Sequence, residues 1–300
     1  MRVSSILFAV VVLILVISLL SIWFYPSVQD FMASNVMWNG INNFNSEFSA
    51  DSVESLDDLP IVPEQAVLVA IPYLEYSQEE LSRIKQFIVD GGTLLLMDDY
   101  GYGNNVLAYL GVDVRFTNKP LLDPLFCYRN QSMPRITDFS PEVKESGIDV
   151  IMLNHATSLT NTIESETVAW SSSSSFLDTN ENGSWEQGEP KGPFAVATEF
   201  RLGQGTLALV SDPSTLINTM VGRDDNYDFI RCLTGDKGEQ KKILIDDSHL
   251  TKTPLDVSRT RLIGVREALS SPYALLGIVA VIFVAVSRYT LKKPFRNLSP

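Results

Sequence analysis

An α/β domain with a mostly parallel sheet flanked by helices, carried between two apolar helices at the chain ends, is the architecture this sequence predicts. Three observations carry the expectation. An uncharged, almost wholly apolar run fills Ile6 to Phe24, and no charged residue occurs between Glu267 and Arg288. Between Ala66 and Met97 the pattern is strand, helix, strand within about thirty residues, a βαβ unit, which implies parallel pairing and a right-handed crossover. Further on, two apolar runs flank Gly203-Gln204-Gly205, a hairpin turn signal.

The first apolar run has the length of a bilayer crossing, roughly twenty residues at about 1.5 Å each. A cleaved signal peptide is the alternative. Its n-region would hold only Arg2, its apolar run exceeds a usual h-region, and Ala33-Ser34 is the one faint cleavage site. The second apolar segment centres on Tyr273 to Val286, with a buried core helix as its alternative. Trp23, Tyr25, Tyr273 and Tyr289 stand where an interfacial aromatic belt would. The C-terminal tail holds Arg288, Lys292, Lys293 and Arg296 with no acid, and the N-terminal tail holds Arg2. Positive residues stay inside, so both termini are expected in the cytoplasm of a two-pass membrane protein, and the main domain outside. The expected division is an anchor over 1–25, an extracytoplasmic α/β domain over 26–271, a transmembrane helix over 272–288 and a basic tail over 289–300.

The chain has 23 Lys and Arg against 36 Asp and Glu. Setting aside the five tail cations leaves 18 against the same 36, so the outer part is near −18. That excludes nucleic acid as a partner and suits cation binding. Cys127 and Cys232 are the two cysteines. In an oxidising exterior they pair, or they stay separate thiols; the spacing leaves both open. Asn130-Gln131-Ser132 is a glycosylation sequon of open occupancy.

The elements follow in order. Val28 to Phe48 is polar with weak helical character, and SADSVESLDDLP is an acidic loop. Ala66–Tyr73 is a short apolar run of buried-strand type. Ser77 with Glu80 forms a capping box, Leu81, Ile84, Phe87 and Ile88 recur at helical spacing, and Gly91-Gly92 ends the helix. Thr93–Met97 is a second buried strand, followed by a short helix over Asn104–Leu110. Arg115 to Ser146 is Pro-rich and irregular. Ile148–Leu153, Glu166–Trp170, Pro193–Phe200, Gly205–Ser211 and Lys241–Asp246 read as strands, and Asn226–Leu233 as a helix.

The most specific motif is the run Asp178 to Glu189, DTNENGSWEQGE, which matches D-x-[DN]-x-[DN]-G-x5-E at every specified position. A hard cation takes six to eight oxygens at about 2.3–2.6 Å. Asp178, Asn180 and Asn182 would supply side-chain oxygens, Gly183 the sharp turn, Ser184 its carbonyl, Glu186 a water-mediated contact and Glu189 two carboxylate oxygens. The flanks, Ser171–Ser175 and Pro190 to Pro193, are not the helices of an EF-hand. A structural calcium ion in an isolated loop is therefore expected, with a polar hairpin tip at Asn182-Gly183 as the bland alternative.

IPYLEYSQEELSRIKQFIVDGGTLLLMDDYG resembles the core of the class I glutamine amidotransferase-like fold. With GPFAVATEFRLGQGTLALVSDPSTLIN, DDNYDFI and IDDSHL it is similar to the membrane proteins of the domain of unknown function 4350 family, whose pattern falls here on Gly203, Gly205, Asp212, Pro213 and Asn218. The resemblance implies a membrane complex with ATPase or transporter-associated subunits. It does not extend to catalysis: where an amidotransferase needs a nucleophilic Cys on a tight turn, this chain has Asp98-Asp99-Tyr100-Gly101. Cys127 lies in LFCYRN, the only histidines are His155 and His249, and no Gly-x-Ser-x-Gly exists.

Polar residues gather at expected strand ends: Asp98, Asp99, Asp212, Asn218, Asp225, Asn226, Asp246 and His249. Ligands of open α/β sheets bind at the carboxyl ends of strands, but such residues also cap helices and fill turns. Two functions stay open. One is a non-catalytic, membrane-anchored binding or scaffold module. The other is a hydrolase using a carboxylate or metal site, which would need Asp98, Asp212 and Asp246 within metal-bridging distance.

Overall fold

A computed structural model describes residues 3–235 and 241–291. The chain divides into two compact units, one made of the terminal segments up to Tyr25 and from Lys252, the other of Pro26–Thr251. The globular unit thus ends twenty residues before the expected boundary at 271.

In the terminal unit, α1 (Val3–Phe24) is the described helix long and apolar enough by itself to cross a membrane. The globular unit opens with α2 (Asn42–Phe48), shorter than the helical stretch expected from Val28 because Phe31 to Gly40 folds as turns bridged to its own carbonyls. Then follow β1 (Asp51–Val53), β2 (Ala66–Ala70), α3 (Gln78–Val89), β3 (Thr93–Met97) and α4 (Gly103–Leu110). The Pro-rich stretch resolves into two-residue strands β4 (Arg115–Phe116), β5 (Leu121–Leu122), β6 (Arg135–Ile136) and β7 (Asp138–Phe139), then α5 (Pro141–Glu145). Next come β8 (Ile151–Met152), β9 (Leu159–Thr160), β10 (Thr167–Trp170), β11 (Phe176–Leu177), β12 (Ala195–Leu202), β13 (Gly205–Val210), α6 (Asn226–Thr234) and β14 (Lys242–Asp246). The C-terminal part of the terminal unit is α7 (Pro254–Ser270) and α8 (Pro272–Leu291).

The main sheet runs β1-β14-β2-β3-β13-β12-β10-β7. Its first five strands are parallel, and β12, β10 and β7 continue antiparallel. β2 and β3 are buried along their whole length, as strands covered on both faces must be. The expected strand Ile148–Leu153 shrinks to β8, which pairs with β6 in a side ribbon instead of joining the main sheet. β2 stops at Ala70, short of the expected Tyr73, because Pro72 follows and cannot donate to the ladder.

Alternation sends successive side chains to opposite faces. Leu68, Leu94, Leu96, Leu207 and Leu209 meet Leu81, Ile84, Phe87 and Ile88 of α3, with Val106 and Leu107 of α4. Val67, Val69, Leu95, Met97, Ala208 and Val210 meet Phe44 and Phe229, Ile230 and Leu233 on the other face. Fully burying each of the four α3 side chains contributes roughly 1.5–3 kcal/mol. Its start is fixed by the capping box: Glu80 N–H donates to Ser77 Oγ at 3.3 Å and Ser77 N–H to Glu80 Oε2 at 2.8 Å. The β12–β13 hairpin closes at Leu202 opposite Gly205. A Cβ on Gly205 would lie 2.1 Å from the Gly92 carbonyl oxygen, so the helix end and the hairpin tip can touch only through glycine.

Candidate functional site

Because β2, β3, β13 and β14 run parallel, the residues that follow each of them share one edge of the sheet. Asp98-Asp99, Ser211-Asp212 and Asp246-Asp247 therefore come together from distant parts of the chain. All of these are buried.

The β14 end builds a connected set. Tyr76 Oη donates to Asp246 Oδ2 at 2.6 Å, and His249 Nδ1 lies 2.8 Å from the same oxygen. The Tyr76 and His249 rings stack with centroids 3.6 Å apart. Ser248 N–H donates to Asp246 Oδ1 at 3.0 Å, and its hydroxyl bonds the same oxygen. On the far side of the ring, His249 Nε2 is 3.5 Å from Glu80 Oε2. An imidazole with 6% side-chain exposure thus bridges two carboxylates. Burial pushes Asp246 up, but the hydrogen bonds from His249, Ser248 and Tyr76 together with the His249 charge outweigh it and hold the carboxyl below its ordinary value. Burial and the Asp246 charge drive the Tyr76 phenol well above its own.

The β3 and β13 ends behave differently. Asp98 accepts from Gly101 and Gly103 N–H, both at 2.7 Å, and so shapes the entry to α4. Burial nevertheless pushes it up to about 6. Asp99 accepts from Tyr100 N–H at 2.7 Å, and burial raises it against a hydrogen bond with Tyr73 and the charge of His155. Asp212, 0% exposed, accepts from Asn154 N–H at 2.5 Å and Ser214 N–H at 2.8 Å. Burial pushes it up to about 8, the Asp99 charge adding to the effect. Tyr73 and Tyr100 are raised by burial beside these carboxylates.

Asn218, Asp225 and Asn226 do not join this edge through their hydrogen bonds. Asn218 accepts from Asn43 N–H at 2.8 Å and donates to the Met37 carbonyl at 2.6 Å, fastening the segment before α2. Asp225 takes the Asp149 and Val150 N–H groups, and Asn226 clamps Met152 and Met220. Tyr73, Tyr76, Glu80, Asn154 and Ser248 belong to the edge and were not read from the sequence. The available signal was two tyrosines in the loop directly after a buried parallel strand. Glu80 was legible only as a capping residue, and it does both things. Among the described residues no group of three His, Cys, Asp or Glu side chains is placed to hold a metal, so Asp98, Asp212 and Asp246 do not form the bridging cluster a metal hydrolase needs.

The loop from Asp178 to Glu189 organises its oxygens through its own amides. Asp178 Oδ1 and Oδ2 accept from Asn182 and Gly183 N–H at 3.1 and 2.7 Å. Asn180 Oδ1 accepts from Asn182 N–H at 3.1 Å, and Asn182 Oδ1 from Ser184 N–H at 2.8 Å. Glu189 spans the loop, with Oε1 taking Thr179 N–H at 2.7 Å and Oε2 taking Glu186 N–H at 2.9 Å. Those bonds, Glu186 N–H first, hold its carboxyl below the ordinary value. The Asn180 and Asn182 amide nitrogens rest on Glu186. Gly183 has φ +76°, the left-handed conformation the motif's glycine provides. Gln131 Nε2 ties the Gly183 carbonyl to the neighbouring loop at 2.5 Å. A cavity of about 370 Å³ beside it is lined by Pro120, Gln131, His155 and Asp178, among others. Carbonyl and carboxylate oxygens that accept one amide keep a second lone pair, and oxygens of these kinds are the ligands a hard cation takes. It does so with amides as well as carboxylates, since Asp178, Glu186 and Glu189 are not a three-carboxylate cluster.

Cys127 and Cys232 are separate thiols in the structure. The exposed Asn130 side chain bonds Ser132, accepting from its N–H at 2.9 Å and its hydroxyl at 2.5 Å.

Fold and site define a mixed α/β domain with buried acidic strand ends, in a chain that also carries an N-terminal helix apolar enough for a membrane. The family model for the domain of unknown function DUF4350 matches residues 34–234, and the chain belongs to that family. No curated protein matches it. Among solved structures it is similar to the mmIFT52 N-terminal domain, at 14% identity and TM-score 0.43, covering 55% of this chain and 76% of that one. It is also similar to the β-galactosidase from Bacillus circulans sp. alkalophilus, at 13% identity and TM-score 0.35, covering 59% of this chain and 23% of the enzyme. A third is the exo-β-1,4-mannosidase Op5Man5 from Opitutaceae bacterium strain TAV5, at 11% identity and TM-score 0.29, covering 63% and 26%. At these values the likenesses carry nothing to function.

Proposed function

We propose that the protein is a non-catalytic binding or scaffold module, anchored in a cell membrane by α1 and by a second crossing in α8, with both termini cytoplasmic and the globular unit outside. Its sheet is read as an amidotransferase-like scaffold without the nucleophile, and the Asp178–Glu189 loop as a structural calcium site. Partners are the lipid bilayer and other subunits of a membrane complex, of the ATPase or transporter-associated kind that the family resemblance implies.

The observation that carries the reading is what occupies the carboxyl edge. A working site keeps a nucleophile or base free to meet a substrate. Here Asp98, Asp212 and Asp246 each spend their oxygens on the N–H and O–H groups of adjoining loops. The edge holds the top of the sheet together, as a rigid platform does. In the calcium loop, Asp178, Asn180 and Asn182 would give side-chain oxygens, Ser184 its carbonyl, Glu186 a contact through water and Glu189 both oxygens. When bound, the ion would supply cross-linking charge to a loop whose own side chains already fix its shape.

The test has two arms. The full chain, purified in mild detergent, is assayed for ammonia release from glutamine and for hydrolysis of simple ester and phosphoester substrates. It is also cross-linked in native membranes. The reading expects no turnover and a defined stoichiometric complex. Turnover that disappears in Asp212→Asn, or in Cys127→Ala, would replace it with the hydrolase reading.

A further inference from the structure

In the terminal unit the arginines of α7 return to one place. Arg259 Nε donates to the Ile22 carbonyl at 3.2 Å, and the Arg266 guanidinium lies over the Trp23 ring at 5.7 Å. Arg259 and Arg266 are about 10 Å apart along a helix axis, whereas Ile22 and Trp23 are adjacent. Helices running side by side would match a seven-residue step on one with a comparable step on the other. α7 therefore passes across the carboxyl end of α1. The break at Ser271-Pro272 agrees, since α7 and the following Pro272–Val281 are bent by 69°.

The residues of α7 are arranged for that position. Leu255, Arg259, Leu262, Arg266 and Leu269 follow one another at steps of four and three, which places them on one face, while Thr260 and Glu267 lie roughly a third of a turn round the helix from it. The face that carries the arginines is the face turned to the end of α1. Val265 beside the stripe is 55% exposed and Leu269 47%, apolar surface with nothing over it in the terminal unit. Arg259 is largely buried, 14% exposed with its guanidinium 3.9 Å from the Asp256 carboxylate, so it fastens α7 to the end of α1 and leaves the exposed Arg266 facing outward. α7 also cannot form half of a broken crossing. Asp256, Arg259, Arg261, Arg266 and Glu267 are five ionised side chains in seventeen residues, too many for the hydrocarbon core.

We infer that α7 is an interfacial helix lying in the headgroup layer at the end of α1, with Val265 and Leu269 in the acyl boundary and the exposed Arg266 bound to a lipid phosphate group. The inference rests on the reading that α1 crosses the bilayer. Long arginines at that depth reach the phosphates while their stems cover apolar surface. Glu267, exposed and away from that side, stays in water, while Asp256 is buried in the capping box with Thr253. The crossing then begins at Pro272, inside the charge-free stretch that follows Glu267.

The experiment uses the full chain with Cys127→Ser and Cys232→Ser, reconstituted in phosphatidylcholine vesicles with and without phosphatidylglycerol. Single cysteines replace Val265, Leu269, Thr260 or Glu267 in turn and carry a spin label. The inference expects labels at 265 and 269 to favour collisions with oxygen, and those at 260 and 267 to favour a water-soluble nickel complex. Phosphatidylglycerol should deepen the stripe labels, and Arg266→Gln should abolish that deepening. Four nickel-accessible positions would place α7 in water, and four oxygen-accessible ones would place it in hydrocarbon; either overturns the inference. A label at Leu13→Cys separates the two claims: if it too meets nickel rather than oxygen, the anchor reading fails first.

Discussion

Asp212→Asn is the substitution whose consequence is most sharply set by the structure. An unfolded aspartate titrates at about 3.9, whereas buried Asp212 titrates at about 8. Its folded value is raised, so the folded state holds the extra proton, and stability falls as pH rises through the interval between the two. The full interval corresponds to roughly 5.6 kcal/mol as an upper bound, and the two units from about pH 5 to about pH 7 to roughly 2.7 kcal/mol. Asp98, pushed up to about 6 by burial, bends the curve the same way over its first part. Asp246 has the opposite sign. Its folded value lies below the ordinary one, so its contribution is present above the unfolded value and is lost as pH falls through the folded one. Stability should therefore peak in mildly acidic solution and decline on both sides. Asn at 212 cannot ionise, and its single carbonyl oxygen cannot serve both Asn154 and Ser214 as the two carboxyl oxygens do. The variant should be less stable than wild type by roughly 1–3 kcal/mol at about pH 5 and should draw level or overtake it by about pH 8. Denaturant unfolding of the detergent-solubilised chain, followed by tryptophan fluorescence across this range, reads both curves. Parallel curves for wild type and variant would refute the assignment of the slope to Asp212.

Two further outcomes follow from packing and from the loop. Ile84→Ala, at a position with 0% exposure under the sheet, should cost roughly 2–5 kcal/mol, read as a lowered denaturant midpoint with unchanged slope; a loss under about 0.5 kcal/mol would contradict the packing of α3. Calcium at tenfold excess over its dissociation constant should stabilise by about 1.4 kcal/mol and raise the melting temperature by a few degrees relative to chelator. Glu189→Gln should erase that difference. Identical wild-type melts with calcium and with chelator, together with no heat of binding at millimolar ion, would remove calcium from the account.

The parallel centre of the fold was legible because it depends on local signals. Val67 to Ala70 and Thr93 to Met97 are apolar on both faces, Ser77 and Glu80 mark the start of α3, and Gly91-Gly92 its end. The antiparallel extension was legible at the β12–β13 hairpin, where the turn is two residues long, and in β10, which falls within the expected strand Glu166–Trp170. β4, β5, β6, β7, β8, β9 and β11 are two residues each. No periodicity exists at that length, and their pairing is set by tertiary contacts. The edge of the sheet was half legible. Acids after parallel strands announce themselves, but which of them meet depends on side-chain alternation. That is why Asp246 and His249 find Tyr76 and Glu80, while Asn218 and Asn226 turn to the backbone of remote segments. The stripe of α7 is not legible while the extracytoplasmic α/β domain is drawn to 271, because the stretch then falls inside that domain.

The central claim is that a membrane anchor holds the globular unit on the extracytoplasmic side. Protease added outside intact cells tests it most directly, with epitope tags at both termini and an antibody to the α/β unit. The account predicts that the α/β unit is digested while both tagged ends stay protected until the membrane is opened. A globular unit that survives in intact cells and is cut only after lysis would contradict it.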